Sequence, residues 1–354
     1  MRIKQISVDG LFGIFNHVIP LNREERITII HGPNGFGKTA ILTILNDFFN
    51  SEYSKFQNIP FKKFQVELDN GEVMVVSKQK NERLKELKNS IHIRLIESQR
   101  LLNFVPNRIH RGTNPIESTV SIYSNELAKL MQDKIKEYGI TSESLDRTFP
   151  LRVVKQQPSA DVTNEQLRQQ LDELESTRSS LIEIGLLDKE EKDSEFKIQP
   201  QDIDESTKNV LSVYVEDVEK KLNVFAETAK KIHLLRKIIN KKFAYSYKEI
   251  NFSKEKGFVF TTLHNQELLP SDLSSGEQHE LVLLYELLFK TKPNSLVLID
   301  EPELSLHVAW QVEFLKDLKE ITELANIDVL MATHSPDIIQ ERWDLTVELR
   351  GLDK

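Results

Sequence analysis

Short apolar runs separated by polar turns dominate the first hundred residues, and this pattern is typical of β-strands. Strands are predicted over Ile3–Val8, Val18–Leu21, Ile27–Ile30, Phe64–Leu68, Glu72–Ser77 and Ile91–Ile96. Asp69-Asn70-Gly71 separates the fourth run from the fifth, and Asn-Gly between two apolar runs predicts a β-hairpin. We therefore expect antiparallel strands near the N-terminus.

The spacing of apolar residues changes to a helical period in the middle of the chain. A helix is predicted near Ser124–Tyr138. Thr163 and Gln166 then form the pattern of a capping box, and leucines recur at heptad spacing from Leu167 to Leu181. After a polar turn, one long helix is predicted from about Leu211 to Ile239. Two heptad helices around a polar turn favour an antiparallel helical hairpin, and two ordinary core helices are the alternative.

The pattern divides the chain into three predicted parts. Residues 1–155 are the N-terminal lobe of one α/β domain, residues 156–242 are the helical hairpin insertion, and residues 243–354 are the C-terminal lobe. Strands return in the last part, for example over Phe258–Thr262. The two lobes are expected to join into a single unit that the insertion interrupts.

Composition limits the classes of protein that fit this chain. Of the 354 residues 39% are hydrophobic and 29% are charged, the net charge is -8, and there is no cysteine. The negative charge argues against coating of nucleic acid, although a local basic patch remains possible. The lack of cysteine excludes disulfides and a cysteine zinc hook. The N-terminus does not resemble a signal peptide and no apolar run approaches a membrane span, so we expect a cytoplasmic protein without membrane association.

One glycine-rich stretch carries candidate chemistry. His31–Ala40 reads HGPNGFGKTA, which contains the spacing G-x-x-x-x-G-K-T between a predicted strand and a predicted helix. Such a loop can direct backbone N–H groups and a helix N-terminus at phosphates. The lysine would reach the β- and γ-phosphates, and the threonine hydroxyl would bind Mg²⁺. The predicted ATP-binding residues of this loop are Gly32, Asn34, Gly35, Gly37, Lys38 and Thr39.

A second candidate segment lies near the C-terminus. The apolar run from Ser295 to Ile299 has the composition of a buried parallel strand and ends in Asp300 and Glu301. Because ligands bind at the carboxyl ends of strands in open α/β sheets, Asp300 is a candidate Mg²⁺ ligand. Glu301 is the candidate catalytic group that polarises the attacking water.

Two further motifs flank this strand. Leu273–Gln278 reads LSSGEQ, in which Ser274, Ser275 and Gly276 precede a predicted helix and offer hydroxyl and N–H groups to an anion, although Ser274 can also be a plain helix cap. Val329–Pro336 reads as a strand that ends in His334, a candidate donor to a γ-phosphate oxygen.

The order of these motifs resembles an ATPase head of the ABC type. The forms LSSGEQH, DEPELSLH and ATHSP resemble the overcoming-lysogenization-defect (OLD) ATPases and the chromosome-maintenance and recombination-repair ATPases with coiled-coil insertions. The resemblance covers residues 1–50 and 268–340. It implies an α/β P-loop NTPase fold of the ABC type, with a mixed sheet, antiparallel N-terminal strands and a helical hairpin insertion. The chain ends soon after the motifs, so no C-terminal nuclease domain like that of the full OLD enzymes is expected.

The resemblance also implies a mechanism. ATP and Mg²⁺ would be the cofactors, and two heads would dock through ATP as a homodimer or higher homo-oligomer. Ser274, Ser275 and Gly276 of one head would then cap the nucleotide of the other. By position, Gln99 would link the metal and the γ-phosphate.

The same resemblance suggests what the ATPase controls. The favoured function is a switch in bacterial anti-phage defence that controls a separate effector, such as a nuclease or a toxin. The alternatives are a DNA-repair or chromosome-associated clamp and a transporter ATPase subunit. A clamp needs a surface for nucleic acid, and the candidate is the basic run that contains Lys230, Lys231, Arg236, Lys237, Lys241 and Lys242.

Overall fold

The computed structural model describes residues 1–50, 58–76, 91–97, 101–103, 117–155, 163–189, 204–304 and 306–351. These residues form two compact units. The first unit combines Met1–Val120 with Ser271–Lys354, and the second is Ser121–Pro270. The second unit is wider than the predicted insertion of residues 156–242, whose boundaries stay a prediction.

The described chain contains both strands and helices, and the longest series of consecutive α-helices lies in the middle of the chain. The strands are β1 (Ile3–Leu11), β2 (Phe15–Pro20), β3 (Ile27–His31), β4 (Lys63–Leu68), β5 (Val73–Val76), β6 (Ile93–Ile96), β7 (Leu102–Asn103), β8 (Glu117–Ser118), β9 (Lys248–Ser253), β10 (Gly257–Thr262), β11 (Glu267–Leu268), β12 (Leu296–Asp300), β13 (Asp328–Ala332) and β14 (Thr346–Glu348). The α-helices are α1 (Lys38–Phe49), α2 (Thr119–Lys155), α3 (Asn164–Glu183), α4 (Glu205–Asn223), α5 (Ala226–Phe243), α6 (Ser275–Phe289), α7 (Val308–Ala325) and α8 (Pro336–Ile339). Within the described ranges, no helix is both long and apolar enough to cross a membrane.

The N-terminal strands form the predicted antiparallel sheet, in the order β2-β1-β4-β5. Burial alternates along β1, so that Ile6 and Val8 face the core while neighbouring residues are more exposed. The predicted hairpin between β4 and β5 is confirmed, and Gly71 adopts a positive φ in its turn. Strand β2 begins earlier than predicted because Phe15 already pairs with Leu11 across the β1–β2 hairpin.

A second sheet in the first unit is parallel throughout, in the order β14-β3-β13-β12-β6. All five residues of β12 are buried, as expected for a parallel strand between two neighbours. The register places Ile30 beside Ala332 and Ala332 beside Asp300. The segments that follow β3, β13 and β12 therefore meet at one edge of the sheet. With the antiparallel sheet and the helices, this is the mixed α/β fold of P-loop ATPases, as predicted.

The second unit corrects two predicted helix boundaries. Helix α2 spans 37 residues and extends well beyond the predicted Ser124–Tyr138 at both ends. Its C-terminal part has a partner that the local sequence does not indicate, because Arg152 forms a bidentate ion pair with the buried carboxylate of Asp217 in α4. Tertiary contacts of this kind stabilise helix beyond its intrinsic propensity.

The single long helix predicted from Leu211 to Ile239 is wrong, since the chain forms α4 and α5 with a break at residues 224–225. At this break the N–H of Phe225 donates to Leu222 O, three residues back, at 3.0 Å. The Phe225 ring is fully buried and lies 5.3 Å from the ring of Tyr138. Burial of this aromatic ring against α2 accounts for the tightened turn.

The predicted capping box and the packing of the two predicted helices are present. Thr163 and Gln166 form both hydrogen bonds of the capping box at the start of α3. Helices α3 and α4 pack against each other, and Leu167 and Leu181 of α3 are buried. Most of the predicted polar turn between the helices lies outside the described residues.

Candidate active site

The glycine-rich loop connects β3 to α1, as the strand-loop-helix prediction requires. Gly35 and Gly37 have φ values of 86° and 92°, in the left-handed region that favours glycine. Gly37 precedes the first residue of α1 and supplies no side-chain cap for it. The first N–H groups of a helix have no acceptor within the helix, and together with its dipole they favour an anion. This geometry would let the loop face a phosphate, and Asn34 and Gly35 are exposed on it.

Lys38 lies against this loop and is only 6% exposed. Its Nζ donates to Gly32 O at 2.7 Å and to Pro33 O at 3.2 Å, and it lies 3.4 Å from Nδ1 of His334. Burial lowers the pKa of Lys38, while the nearby carboxylates of Glu301, Asp300 and Glu303 act in the opposite direction. The cation of the predicted motif is thus held at the loop, within reach of three carboxylates.

Thr39 and Asp300 bring two oxygen ligands together at the sheet edge. The Thr39 hydroxyl donates to Asp300, with oxygen-oxygen distances of 3.0 and 3.2 Å to the two carboxylate oxygens. Burial raises the pKa of Asp300, and the hydrogen bond from Thr39 partly offsets that effect. The ionised carboxylate is therefore destabilised by its surroundings until a further cation joins it.

This donor set fits Mg²⁺, which prefers oxygen ligands and commonly takes one or two from the protein while water and substrate phosphates supply the rest. Within the described ranges, no group of three or more His, Cys, Asp or Glu side chains is arranged to hold a metal ion. Thr39 and Asp300 would supply two of the oxygen ligands, and water and the phosphates of a nucleotide would supply the rest.

Glu301 and His334 face each other across the ends of β12 and β13. The N–H of Glu301 donates to Ala332 O at 2.9 Å, and this residue has a φ of 46°, which is uncommon for a side chain of its size. Its Oε1 lies 3.6 Å from Nε2 of His334. The two predicted catalytic side chains therefore share one site with Lys38, Thr39 and Asp300.

The structure adds a carboxylate that the sequence analysis missed. Oε1 of Glu303 accepts a hydrogen bond from the backbone N–H of His334 at 2.7 Å. The available signal was the third carboxylate of the segment Asp300-Glu301-Pro302-Glu303, two residues after the candidate catalytic group.

The serine-glycine motif opens helix α6. Ser274 is its N-cap: the hydroxyl accepts from the N–H of Glu277 at 3.3 Å, and the Glu277 carboxylate accepts from the N–H of Ser274 at 2.7 Å. Ser275 and Gly276 form the first turn of the helix, whereas the sequence analysis placed them before it. The capping role and the predicted anion-binding role are compatible, because the hydroxyl hydrogen of Ser274 is not used by the cap.

Gln99 and the basic run of α5 are the remaining residues that the sequence analysis singled out. Gln99 lies outside the described residues. In the basic run of α5, Lys231 pairs with Glu227 and Arg236 pairs with Glu183, at 2.7 and 2.5 Å. Lys242 is 1% exposed. At least three of the six cations are thus paired or buried within the second unit.

Fold and site together define a P-loop ATPase. Residues 1–339 match the family model described as the AAA ATPase domain, and the chain belongs to this family. Among curated proteins, protein ea59 of Escherichia phage lambda is 38% identical over 69 residues, which are 20% of this chain. The matched part is 13% of the length of ea59.

Solved structures with a similar arrangement include head domains of Smc proteins. One is the Smc head domain derived from Pyrococcus furiosus, with an extended coiled coil and bound to the C-terminal domain of ScpA; it is 16% identical, with a TM-score of 0.41. That comparison covers 99% of this chain and 94% of the other. The SMC head domain from Thermotoga maritima is 13% identical over 96% of this chain and 92% of the other, with a TM-score of 0.39.

Proposed function

We propose that the chain binds Mg-ATP at the edge formed by β3, β12 and β13 and hydrolyses it to ADP and phosphate. The observation that carries this proposal is the convergence of five side chains from three distant segments. Lys38 and Thr39 of the glycine-rich loop lie beside Asp300 and His334, and His334 in turn faces Glu301. A cation, two metal-binding oxygens and a carboxylate near a histidine are the groups that phosphoryl transfer to water requires.

Each side chain has a distinct task in this proposal. Loop N–H groups and Lys38 bind the phosphates, and on ATP binding the Lys38 ammonium exchanges its bonds to Gly32 O and Pro33 O for bonds to phosphate oxygens. Thr39 and Asp300 would hold Mg²⁺, which would neutralise charge on the phosphates. Glu301 accepts a hydrogen bond from the attacking water, and His334 donates to a γ-phosphate oxygen.

We further propose that ATP docks two copies of the chain as a homodimer. The support lies at the N-terminus of α6, where Ser275 and Gly276 occupy the first turn. N–H groups of a first turn have no acceptor within their helix and carry the positive end of its dipole. They would cap the γ-phosphate of a nucleotide bound by the other copy, so that hydrolysis separates the two.

In the cell, this cycle would make the protein a cytoplasmic switch that controls a separate effector, such as a nuclease or a toxin, in anti-phage defence. Support for this part comes from the resemblance of LSSGEQH, DEPELSLH and ATHSP to the OLD ATPases. A DNA-associated clamp is the alternative. The ion pairs of Lys231 and Arg236 and the burial of Lys242 reduce the charge that the α5 basic run offers to DNA.

Release of phosphate from ATP, measured with Mg²⁺ and with EDTA, tests the enzymatic part. We expect turnover that requires Mg²⁺ and disappears in Glu301→Gln. Absence of turnover in the wild type, alone and with its genomic neighbour proteins, would contradict the proposal.

The biological role is tested separately. An effector protein that co-purifies with the chain supports the defence switch. Stimulation of turnover by duplex DNA at moderate salt favours the clamp.

A further inference from the structure

Glu303 sits in the turn after β12, two residues beyond Glu301. Its Oε1 accepts from the N–H of His334 at 2.7 Å, and the N–H of Leu306 donates to its backbone carbonyl at 3.0 Å. Oε2 of Glu303 is buried and has no hydrogen-bond partner among the described residues. A carboxylate oxygen that is buried without a hydrogen bond lowers the stability of the folded protein, so the position of this side chain needs an explanation.

The explanation lies in the segment that carries His334. The N–H of Thr333 continues the sheet pattern by donating to Ile30 O at 3.2 Å, and the Ser335 hydroxyl donates to Gln311 at 2.7 Å. Between them, the N–H of His334 has left the sheet pattern and donates to the Glu303 carboxylate. Glu303 therefore fixes the backbone at the histidine itself.

Two other contacts connect the same turn to the same segment. The Glu301 N–H donates to Ala332 O at 2.9 Å, and Oε1 of Glu301 lies 3.6 Å from Nε2 of His334. Two hydrogen bonds therefore connect the turn that bears Glu301 to the segment that bears His334. One joins the N–H of Glu301 to Ala332 O, and the other joins the Glu303 carboxylate to the N–H of His334. Loss of one of these bonds would let the imidazole move relative to Glu301 and Lys38.

We infer that Glu303 is a positioning residue for hydrolysis: its carboxylate orients His334 toward the γ-phosphate, and it does not itself need to contact the nucleotide. This inference rests on the proposed ATPase function. A hydrogen bond to a charged group is a strong one, and its loss at a site of fixed geometry is expected to reduce turnover by about tenfold to a hundredfold. The loop, Lys38 and Thr39 keep their own side chains, and the loss of one negative charge near Lys38 does not oppose phosphate binding, so the affinity for ATP should change little.

Two substitutions separate the hydrogen bond from the charge. Glu303→Ala removes the acceptor for the His334 N–H. Glu303→Gln keeps a carbonyl oxygen at that position and supplies an amide in place of the buried, unpartnered oxygen. Glu323→Ala is a matched control, because Glu323 is an exposed carboxylate on α7 within the same unit.

The experiment measures kcat and KM for ATP, the affinity for a non-hydrolysable ATP analogue and the melting temperature of each variant. For Glu303→Ala we expect kcat to fall about tenfold to a hundredfold, with analogue affinity within about threefold of wild type. Glu303→Gln should recover most of kcat, and Glu323→Ala should match the wild type. A glutamine variant as inactive as the alanine variant would show that charge, and not orientation of His334, is required.

A double-mutant cycle with His334→Ala gives the decisive comparison. If Glu303 acts through the imidazole, Glu303→Ala should have little further effect on kcat once that ring is absent. Multiplicative losses in the double variant would overturn the inference. Turnover of the wild type distinguishes the proposed ATPase function from the positioning role of Glu303. If the wild type hydrolyses ATP and Glu303→Ala has the same kcat, the positioning role is contradicted and the proposed function is not.

Discussion

The Thr39 hydroxyl lies 3.0 Å from a carboxylate oxygen of Asp300, although 261 positions separate the two residues in the chain. The contact exists because α1 begins, and β12 ends, at the same edge of the parallel sheet. The two oxygens that we propose as metal ligands are therefore brought together only when the N-terminal and C-terminal segments of the first unit fold together. The following predictions test the chemistry of this edge.

Replacement of Lys38 by alanine should abolish measurable ATP binding. The buried ammonium already lies at the glycine-rich loop, bonded to Gly32 O, and its removal leaves the phosphates without that cation. Equilibrium titration with a fluorescent ATP analogue measures the effect. Lys4→Ala is the control, because Lys4 pairs with Glu67 on the exposed side of the N-terminal sheet. Unchanged affinity in Lys38→Ala would refute the assignment of this residue.

Glu301→Gln should retain ATP binding and nearly stop hydrolysis. The substitution preserves shape and removes the negative charge that polarises water, a contribution of about 10²- to 10⁴-fold for groups of this kind. Lys38, Thr39 and Asp300 remain to hold Mg-ATP. Phosphate release and analogue binding, measured on the same sample, check both parts, and hydrolysis at the wild-type rate would show that another group activates the water.

The same variant should accumulate as an ATP-dependent dimer. Light scattering with and without Mg-ATP measures its mass, at the protein concentration used for the wild type because dimerisation follows mass action. Adding Ser275→Arg should abolish the increase, since a bulky side chain at the first turn of α6 would obstruct the second copy. A mass that never responds to ATP, in a protein that is monomeric throughout, contradicts the shared-site mechanism.

Asp300→Asn should raise thermal stability in the absence of metal and nucleotide, in a manner that depends on pH. Burial raises the folded-state pKa of Asp300, so its ionised form destabilises the folded protein. This cost is full above the raised pKa and fades as pH falls toward the ordinary value of about 3.9. The melting temperature of the variant should exceed that of the wild type at pH 8, and the difference should shrink toward acidic pH.

Asp344 provides a control for this measurement, because its pKa is shifted in the opposite direction from that of Asp300. Arg342 hydrogen-bonds the exposed carboxylate of Asp344 and lowers its pKa, so Asp344→Asn should give no gain in melting temperature at pH 8. A similar gain from both substitutions would mean that a general charge effect, and not the burial of Asp300, determines the result.

Gly37→Ala should destabilise the protein more than Gly35→Ala. Both positions have positive φ, so each alanine adopts a left-handed conformation that costs roughly 1–2 kcal/mol. A Cβ at Gly37 would also lie 2.4 Å from Cδ2 of the fully buried Leu11, whereas a Cβ at Gly35 meets no atom within 4 Å. Overpacking adds about 1–3 kcal/mol. Urea unfolding of both variants measures the difference, and equal destabilisation would contradict this packing argument.

Local sequence was sufficient for elements whose signal lies within a few residues. The Asn70-Gly71 hairpin, the capping box of Thr163 and the strand-loop-helix around Lys38 depend on backbone preferences and short-range hydrogen bonds, and all three are present. Local sequence failed where a distant partner decided the outcome. Helix α2 continues to residue 155 with the Arg152–Asp217 pair at its end, and the break before α5 buries Phe225 against Tyr138.

For the candidate site too, some features follow from local sequence and others only from the tertiary structure. By itself, the sequence determined which side chains are available to bind phosphate, metal and water, because each motif places them within a few residues of one another. Only the tertiary structure decided that Thr39 meets Asp300, that His334 faces Glu301 and that Glu303 holds the backbone of His334. The physical reason is the register of the parallel sheet, which brings the ends of β3, β13 and β12 together from positions far apart in the chain.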